Sequence, residues 1–147
     1  MVSLETVSPV RQFVRTALVL VLAIMALPAA LFVAAWLWLW AQNAKVDSFY
    51  REHRLLGEMR AVEKESTNNS VPAREALLKT IPLGTDRAAA IALLSKETLH
   101  CQGIAGPVNC QTLSANVLGY KQWIIDLEFD GDERLSNARV AIWNIFL

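Results

Sequence analysis

The sequence has few of the residue types that carry enzyme chemistry. It contains two cysteines and two histidines in 147 residues, and the spacing from Cys101 to Cys110 is far from the Cys-x-x-Cys motif of thiol-exchange enzymes. Neither histidine belongs to a local motif, no serine or threonine lies in a recognisable nucleophile turn, and Gly84 stands alone rather than in a phosphate-binding loop. We therefore expect no catalytic activity and no cofactor.

Metal-binding patterns are also missing from the sequence. His100 and the two cysteines supply at most three ligands, which is too few for a closed structural zinc site. Three acids lie close together without the alternating ligands of a calcium loop, so we interpret them as a solvated hairpin turn: Asp130, Asp132 and Glu133.

Charge of one sign is not in excess, because 14 Lys and Arg residues balance 14 Asp and Glu residues. Such a chain has no overall field that would attract a nucleic acid, and nothing in it indicates a small-molecule substrate. The sequence also has no internal repeats. Its length fits one membrane anchor followed by one small domain.

One long apolar run dominates what is present. Residues Ala17–Ala41 are all apolar apart from Pro28, and no charge lies between Arg15 and Lys45. A helix of this length covers about 37 Å, which exceeds the roughly 30 Å hydrocarbon core of a bilayer. The run is too long for an ordinary cleaved signal sequence. We predict an uncleaved signal anchor, with residues 1–15 as an N-terminal cytoplasmic tail and 16–41 as a transmembrane helix.

Three tryptophans lie near the C-terminal end of this run: Trp36, Trp38 and Trp40. Indole rings prefer the headgroup region, so these residues indicate one membrane interface. Packing of the same rings against a partner helix is the alternative.

Two signals disagree about the orientation of the chain. Arg11 and Arg15 precede the anchor, and a larger number of basic residues follows it, which favours a cytoplasmic C-terminal part. A long C-terminal domain, however, crosses the membrane largely regardless of charge, and a cysteine pair favours an oxidising compartment. We predict a single-pass protein of the inner (plasma) membrane, with a cytoplasmic N-terminus and an extracytoplasmic domain.

The two cysteines allow two interpretations. In an oxidising compartment, Cys101 and Cys110 form a disulfide that closes a short loop and stabilises a small domain by about 2–3 kcal/mol. Otherwise they are two buried, reduced thiols.

Residues 42–65 follow the anchor and have the apolar spacing of a membrane-proximal amphipathic helix. One interpretation is a stalk that lifts the domain from the membrane. The other is a helix that binds a partner protein, for which the candidate residues are Phe49, Tyr50, Leu56 and Met59. The polar stretch 66–70 is typical of a linker.

Residues 71–147 read as a small α+β domain. Pro72 begins a short helix, and Thr85 is the predicted N-cap of a second helix. Beyond Leu99 the pattern changes to strands, most clearly in Trp123–Phe129, where apolar and polar residues alternate. The predicted fold is α+β: a single transmembrane helix and a stalk helix, followed by two helices and a three- to four-stranded antiparallel sheet.

A resemblance to a known family rests on two short stretches. Residues 81–87, Ile-Pro-Leu-Gly-Thr-Asp-Arg, lead into a helix, and residues 123–135 carry Trp-Ile-Ile-Asp-Leu-Glu-Phe-Asp-Gly-Asp-Glu-Arg-Leu. Together with the cysteine pair between them, they resemble the BamE/SmpA-type ααβββ domain over about residues 71–143. The resemblance implies a non-catalytic binding module exposed to the cell envelope. The best-known members of that family are lipoproteins, whereas this chain has a transmembrane anchor.

Two functions fit these observations. In the first, a membrane-anchored, non-catalytic module binds or scaffolds another membrane or envelope protein, with the lipid bilayer as its second partner. In the alternative, the chain is an accessory subunit of a membrane complex and acts mainly through its anchor and stalk helix.

Overall fold

The computed structural model describes residues 9–103 and 106–146, which form four helices and four strands. The helices are α1 (Pro9–Glu52), α2 (Arg54–Val62), α3 (Val71–Thr80) and α4 (Arg87–Lys96). The strands are β1 (His100–Gln102), β2 (Val108–Asn116), β3 (Gly119–Phe129) and β4 (Leu135–Phe146). The chain divides into two compact units, one that ends at Ala41 and one that begins at Gln42.

The first unit is the apolar part of α1. Each residue from 12 to 41 is exposed, and α1 continues through Pro28 without interruption. Within the described residues, α1 is the one helix that is long enough and apolar enough to cross a membrane. The predicted apolar helix is therefore confirmed. Helix α1 itself begins at Pro9, ahead of the predicted membrane-spanning residues 16–41, whose bounds stay a prediction. Proline suits the first helical position, where its missing N–H has no partner to lose. Residues 1–8 of the predicted tail lie outside the described residues.

The second unit includes the segment that we predicted to be a stalk. Helix α1 continues to Glu52, turns at His53 and is followed by α2. Both helices direct apolar side chains into the core of the domain: Val46, Tyr50, Leu55, Leu56 and Met59 are buried. Helix α2 packs closely against the end of α1 at Gly57, where an added Cβ would lie 2.7 Å from the Tyr50 carbonyl oxygen. Residues 42–62 are thus a structural layer of the domain and not a stalk.

The stretch 66–70 is likewise bound to the domain. The backbones of Thr67 and Ile142 exchange two hydrogen bonds of 2.8 Å each, and the Ser70 N–H donates to the Val140 carbonyl at 2.8 Å. These bonds satisfy the outer edge of β4, which would otherwise expose unpaired backbone groups. The predicted linker is therefore wrong. A polar composition is typical of edge segments as well as of linkers, because both contact solvent.

The sheet is antiparallel throughout, in the order β1-β2-β3-β4. The alternation predicted for β3 is confirmed, since Trp123, Ile125 and Leu127 are fully buried. In register with them are Val140 and Ile142 of β4, so that one face of the sheet forms the core against the helices. The fold is α+β, as predicted, with one helix that can span a membrane.

The two helices of the predicted small domain are present, and side chains cap them. Ser70 caps α3 by accepting a hydrogen bond from the Ala73 N–H. Asp86 caps α4 and accepts from Ala88 and Ala89. We predicted Thr85 for that position, but its hydroxyl instead donates to the Pro82 carbonyl. An ionised carboxylate next to the positive end of the helix is the stronger cap.

A disulfide joins the edge strand β1 to its neighbour β2. Cys101 of β1 and Cys110 of β2 are direct cross-strand partners, and their sulfur atoms lie at bonding distance. Of the two interpretations of the cysteine pair, the structure has the disulfide. It attaches the three-residue strand β1 to the sheet.

Candidate docking face of the sheet

The face of the sheet that points away from the core has an apolar end. Four large side chains at this end are between 41% and 58% exposed: Leu113, Tyr120, Trp143 and Ile145. We call these four residues the apolar patch. Strand register brings them together, because Leu113 and Trp143 both pair with Gln122, and Tyr120 pairs with Ile145. Residues paired across antiparallel strands point to the same face, so the four side chains form one surface.

The other end of this face is polar and is ordered by a chain of hydrogen bonds. Gln122 Nε2 donates to Gln111 Oε1 at 3.2 Å, and Gln111 Nε2 donates to Asn109 Oδ1 at 2.5 Å. Asn109 Nδ2 then donates to Asp126 Oδ1 at 2.6 Å. On its other oxygen, Asp126 accepts from Arg139 at 2.8 Å. The apolar patch therefore lies beside a neutral, preorganised polar surface.

A shallow cleft of about 590 Å³ lies along the same face. It is lined mainly by amide and hydroxyl side chains, together with Leu113 of the apolar patch: Thr98, His100, Gln102, Asn109, Gln111, Thr112, Leu113 and Gln122. An exposed apolar cluster with a polar surround is the usual anatomy of a protein-binding surface.

The predicted partner-binding residues are at a different place. Leu56 and Met59 are completely buried and Tyr50 is 8% exposed, so these three side chains are core residues and offer no surface to a partner. Phe49 is partly buried, with its ring 4.5 Å from that of His53. That prediction is corrected: the apolar stripe of this segment packs into the hydrophobic core of its own domain.

The three predicted interface residues lie in the first unit. Trp36, Trp38 and Trp40 are all exposed on α1, between 52% and 64%. Their position at a membrane interface stays a prediction.

Of the three acids that we interpreted as a hairpin turn, Asp130 holds the turn together through its side chain. Asp130 Oδ1 accepts hydrogen bonds from the backbone N–H groups of Asp132 and Arg134 at 3.0 and 2.9 Å. Within residues 9–103 and 106–146, no group of three His, Cys, Asp or Glu side chains is placed to hold a metal ion. The predictions of no enzyme activity and no cofactor are not tested by this arrangement.

Sequence reasoning missed a buried polar cluster around Ser114. Its Oγ atom accepts a hydrogen bond from Trp123 Nε1 at 3.1 Å and donates to the Lys121 carbonyl at 3.1 Å. The same oxygen lies 2.7 Å from the Tyr50 hydroxyl. The alternation of inward- and outward-facing residues along the strands could have revealed this cluster. Ser114 and Lys121 pair with each other at core-facing positions of β2 and β3. A polar residue at such a position needs partners inside the protein.

Comparisons of this chain with protein-family models, with curated proteins and with solved structures find no match. The resemblance to the BamE/SmpA-type domain therefore stays a prediction. The functional argument rests on the chain's own geometry.

Proposed function

We propose that this protein is a single-pass, membrane-anchored, non-catalytic module that binds another protein of the same membrane or envelope through the apolar patch. The patch carries the proposal: it includes two aromatic residues, Tyr120 and Trp143, which are 46% and 44% exposed. Aromatic side chains are enriched at the centres of protein interfaces, where they bury a large area for a small loss of conformational freedom.

We further propose the inner (plasma) membrane as the location, with a cytoplasmic N-terminus and the domain from Gln42 onward in an extracytoplasmic, oxidising compartment. The Cys101–Cys110 disulfide supports this side of the membrane, since disulfides persist in oxidising compartments and are rare in the cytosol. The BamE/SmpA-like pattern supports an envelope role.

The alternative function, an accessory subunit that acts through its anchor and stalk, now needs a different test. Deleting residues 71–147 would remove α3, α4 and the sheet, which share one hydrophobic core with Val46, Leu56 and Met59. The truncated chain would expose these apolar side chains and bind proteins unspecifically. Single substitutions on the surface of the intact domain avoid this difficulty.

The experiment is site-specific photocrosslinking in the native membrane. A photoreactive amino acid replaces Trp143 in the full-length chain, and crosslinked products are separated by mass. We expect one discrete adduct with a second membrane or envelope protein. The matched control places the same amino acid at Lys96, an exposed position on α4, where no adduct is expected.

The outcomes separate the two functions. Trp143→Ser should abolish co-purification of the crosslinked partner in mild detergent, because the substitution removes a large apolar contact. Retention of the partner by Trp143→Ser, together with its loss when small residues of the anchor such as Ala30 are enlarged to Leu, assigns binding to the anchor. An adduct of twice the chain's own mass would replace the proposed partner with a second copy.

A further inference from the structure

Strand β2 has no neighbouring strand along part of one side. Strand β1 pairs with β2 at residues 109–111 only, and among the described strands no other lies on that side of β2. Residues 112–116 are therefore paired with β3 on one side and with no strand on the other. We call residues 112–116 the open edge.

Strand β1 does not extend along the open edge, because the chain before it belongs to the end of α4. Continued pairing would place Thr98 opposite Leu113. The Thr98 N–H instead donates to the Ser95 carbonyl at 3.1 Å, and the φ of Thr98 is +64°, a left-handed conformation that is not that of a strand. The course of the chain thus leaves this edge uncovered.

The turn between β2 and β3 determines which backbone groups face the open edge. Asn116 and Gly119 are direct partners on either side of this short turn, so the pair exchanges both of its backbone hydrogen bonds. Because such pairs alternate along an antiparallel ladder, Ser114 also bonds to β3, whereas the N–H and C=O groups of Leu113 and Ala115 point away from β3. These groups of Leu113 and Ala115 have no hydrogen-bond partner within the part of the chain that the structure describes.

The open edge lacks the features that usually protect an unpaired strand. Residues 112–116, Thr-Leu-Ser-Ala-Asn, contain no charge and no proline, both of which hinder pairing with another chain. The opposite edge of the sheet is covered, because the segment before α3 bonds to the backbone of β4. The 590 Å³ cleft lies beside the open edge, since Thr98, Thr112 and Leu113 are among its lining residues. Unpaired backbone groups and room for a further strand thus occur at the same place.

We propose that the partner protein of the proposed function, on which this inference rests, adds an extended segment to the open edge as a further antiparallel strand. The residues of that segment opposite Leu113 and Ala115 each donate to a C=O group and accept from an N–H group. Paired residues share a face, so the side chains of these two partner residues lie on the docking face beside Leu113, where apolar side chains fit best. A helix would leave the edge unsatisfied, because its own backbone groups are bonded within the helix.

The test combines the photoreactive amino acid at position 143 with a change at the open edge of the full-length chain. Ala115→Pro removes an N–H that faces the edge and puts the proline ring in its place, so the yield of the partner adduct should fall by about tenfold or more. The pairing of β2 with β3 should persist, because proline is tolerated where the N–H faces outward. The matched control Ala115→Ser keeps the N–H and a small side chain, and it should leave the yield unchanged.

Hydrogen exchange keeps the proposal falsifiable where Ala115→Pro fails to fold, because it uses the chain with Ala115 in place. In the free chain the amides of Leu113 and Ala115 should exchange rapidly, whereas the Ser114 amide, which bonds to β3, should be protected. In the purified adduct, exchange at Leu113 and Ala115 should slow by about tenfold or more.

The outcomes separate this inference from the proposed function. An unchanged adduct yield in folded Ala115→Pro, or rapid exchange at Leu113 and Ala115 in the adduct, would overturn the strand pairing and leave docking at the apolar patch in place. The absence of any adduct from position 143 with Ala115 in place would refute both. An adduct of twice the chain's own mass would make the added strand part of a second copy and overturn its assignment to another protein.

Discussion

The Tyr50 hydroxyl and the Ser114 Oγ atom lie 2.7 Å apart, although 64 positions separate the two residues in the chain. This hydrogen bond joins the end of α1, the same helix that carries the apolar run, to the centre of the sheet. Ser114 already donates to the Lys121 carbonyl, so the Tyr50 hydroxyl is the donor in this pair. The last turns of α1 are therefore bonded into the domain core.

Tyr50→Phe tests the energetic importance of this bond. The substitution leaves Ser114 with one partner fewer in a buried site, and we expect the free energy of unfolding of the domain to fall by about 1 kcal/mol. Native-state hydrogen exchange of the β3 amides, on the full chain in detergent, measures the change. Tyr120→Phe is the control: Tyr120 is 46% exposed, and its effect should stay within about 0.5 kcal/mol. Equal effects of the two substitutions would contradict the buried hydrogen bond.

The Glu63 carboxylate gives a pH dependence. Ser70 Oγ donates to Glu63 Oε2 at 3.0 Å, and this hydrogen bond is the main cause that holds the pKa of Glu63 below its ordinary value of 4.5. Below that ordinary value the unfolded chain binds a proton that the folded chain does not. The contribution of Glu63 to stability is therefore complete above pH 4.5 and is lost as the pH falls through the lower, folded-state pKa.

Ser70→Ala should raise the pKa of Glu63 towards its ordinary value, which an NMR titration of the side-chain carboxyl carbon measures. The same substitution removes the N-cap of α3 and should cost about 1 kcal/mol of stability at neutral pH. Ser136→Ala, whose hydroxyl donates to the Glu128 carbonyl, should leave the titration of Glu63 unchanged. An ordinary pKa for Glu63 in the wild-type chain would refute the assignment.

Gly119 begins β3 with a φ of +151°, in a region that L side chains rarely adopt. An added Cβ would also collide with the Ile145 carbonyl oxygen. We expect Gly119→Ala to destabilise the domain by about 2 kcal/mol or more, through backbone strain and the displaced strand β4. Gly131→Ala is the matched control, since no atom lies within 4 Å of its added Cβ. Thermal unfolding of both variants is the measurement, and a neutral Gly119→Ala would show that the close approach is absent.

The disulfide predicts a labelling pattern that also reports the side of the membrane. In intact cells a membrane-impermeant maleimide should not label the wild-type chain until a reductant is added. Cys110→Ser leaves Cys101, which is partly exposed, as a single thiol, and it should be labelled without reductant. Labelling of Cys110→Ser only after cell lysis would put the domain in the cytoplasm, contrary to the proposed orientation.

The contribution of the Cys101–Cys110 disulfide to the free energy of unfolding should be measurable. The double variant Cys101→Ala/Cys110→Ala removes a bridge between residues nine positions apart, and the chain-entropy relation gives a loss of about 2–3 kcal/mol. Urea unfolding of the full chain in detergent, with and without reductant, checks this value. The reductant should lower the stability of the wild-type chain to that of the double variant and leave the double variant unaffected.

The sequence alone was sufficient wherever a local period or length decides the structure. The apolar run from Ala17 to Ala41 predicts a helix because its length matches a bilayer, and the alternation from Trp123 to Phe129 predicts a strand with one buried face. Both are present. The short spacing of the two cysteines allowed either a disulfide or two thiols. Only the direct pairing of the strands β1 and β2 decided between them.

Only the tertiary structure decided what the apolar stripe of residues 42–62 faces. An apolar stripe of this kind must be buried against another surface. The sequence does not say whether that surface belongs to the same domain or to another protein. Burial of Leu56 and Met59 in the shared core makes this segment part of the domain. It also leaves the opposite face, with Leu113 and Trp143, as the exposed apolar surface. Periodicity determines which residues share a face of one element, whereas contacts between distant segments determine which face is covered.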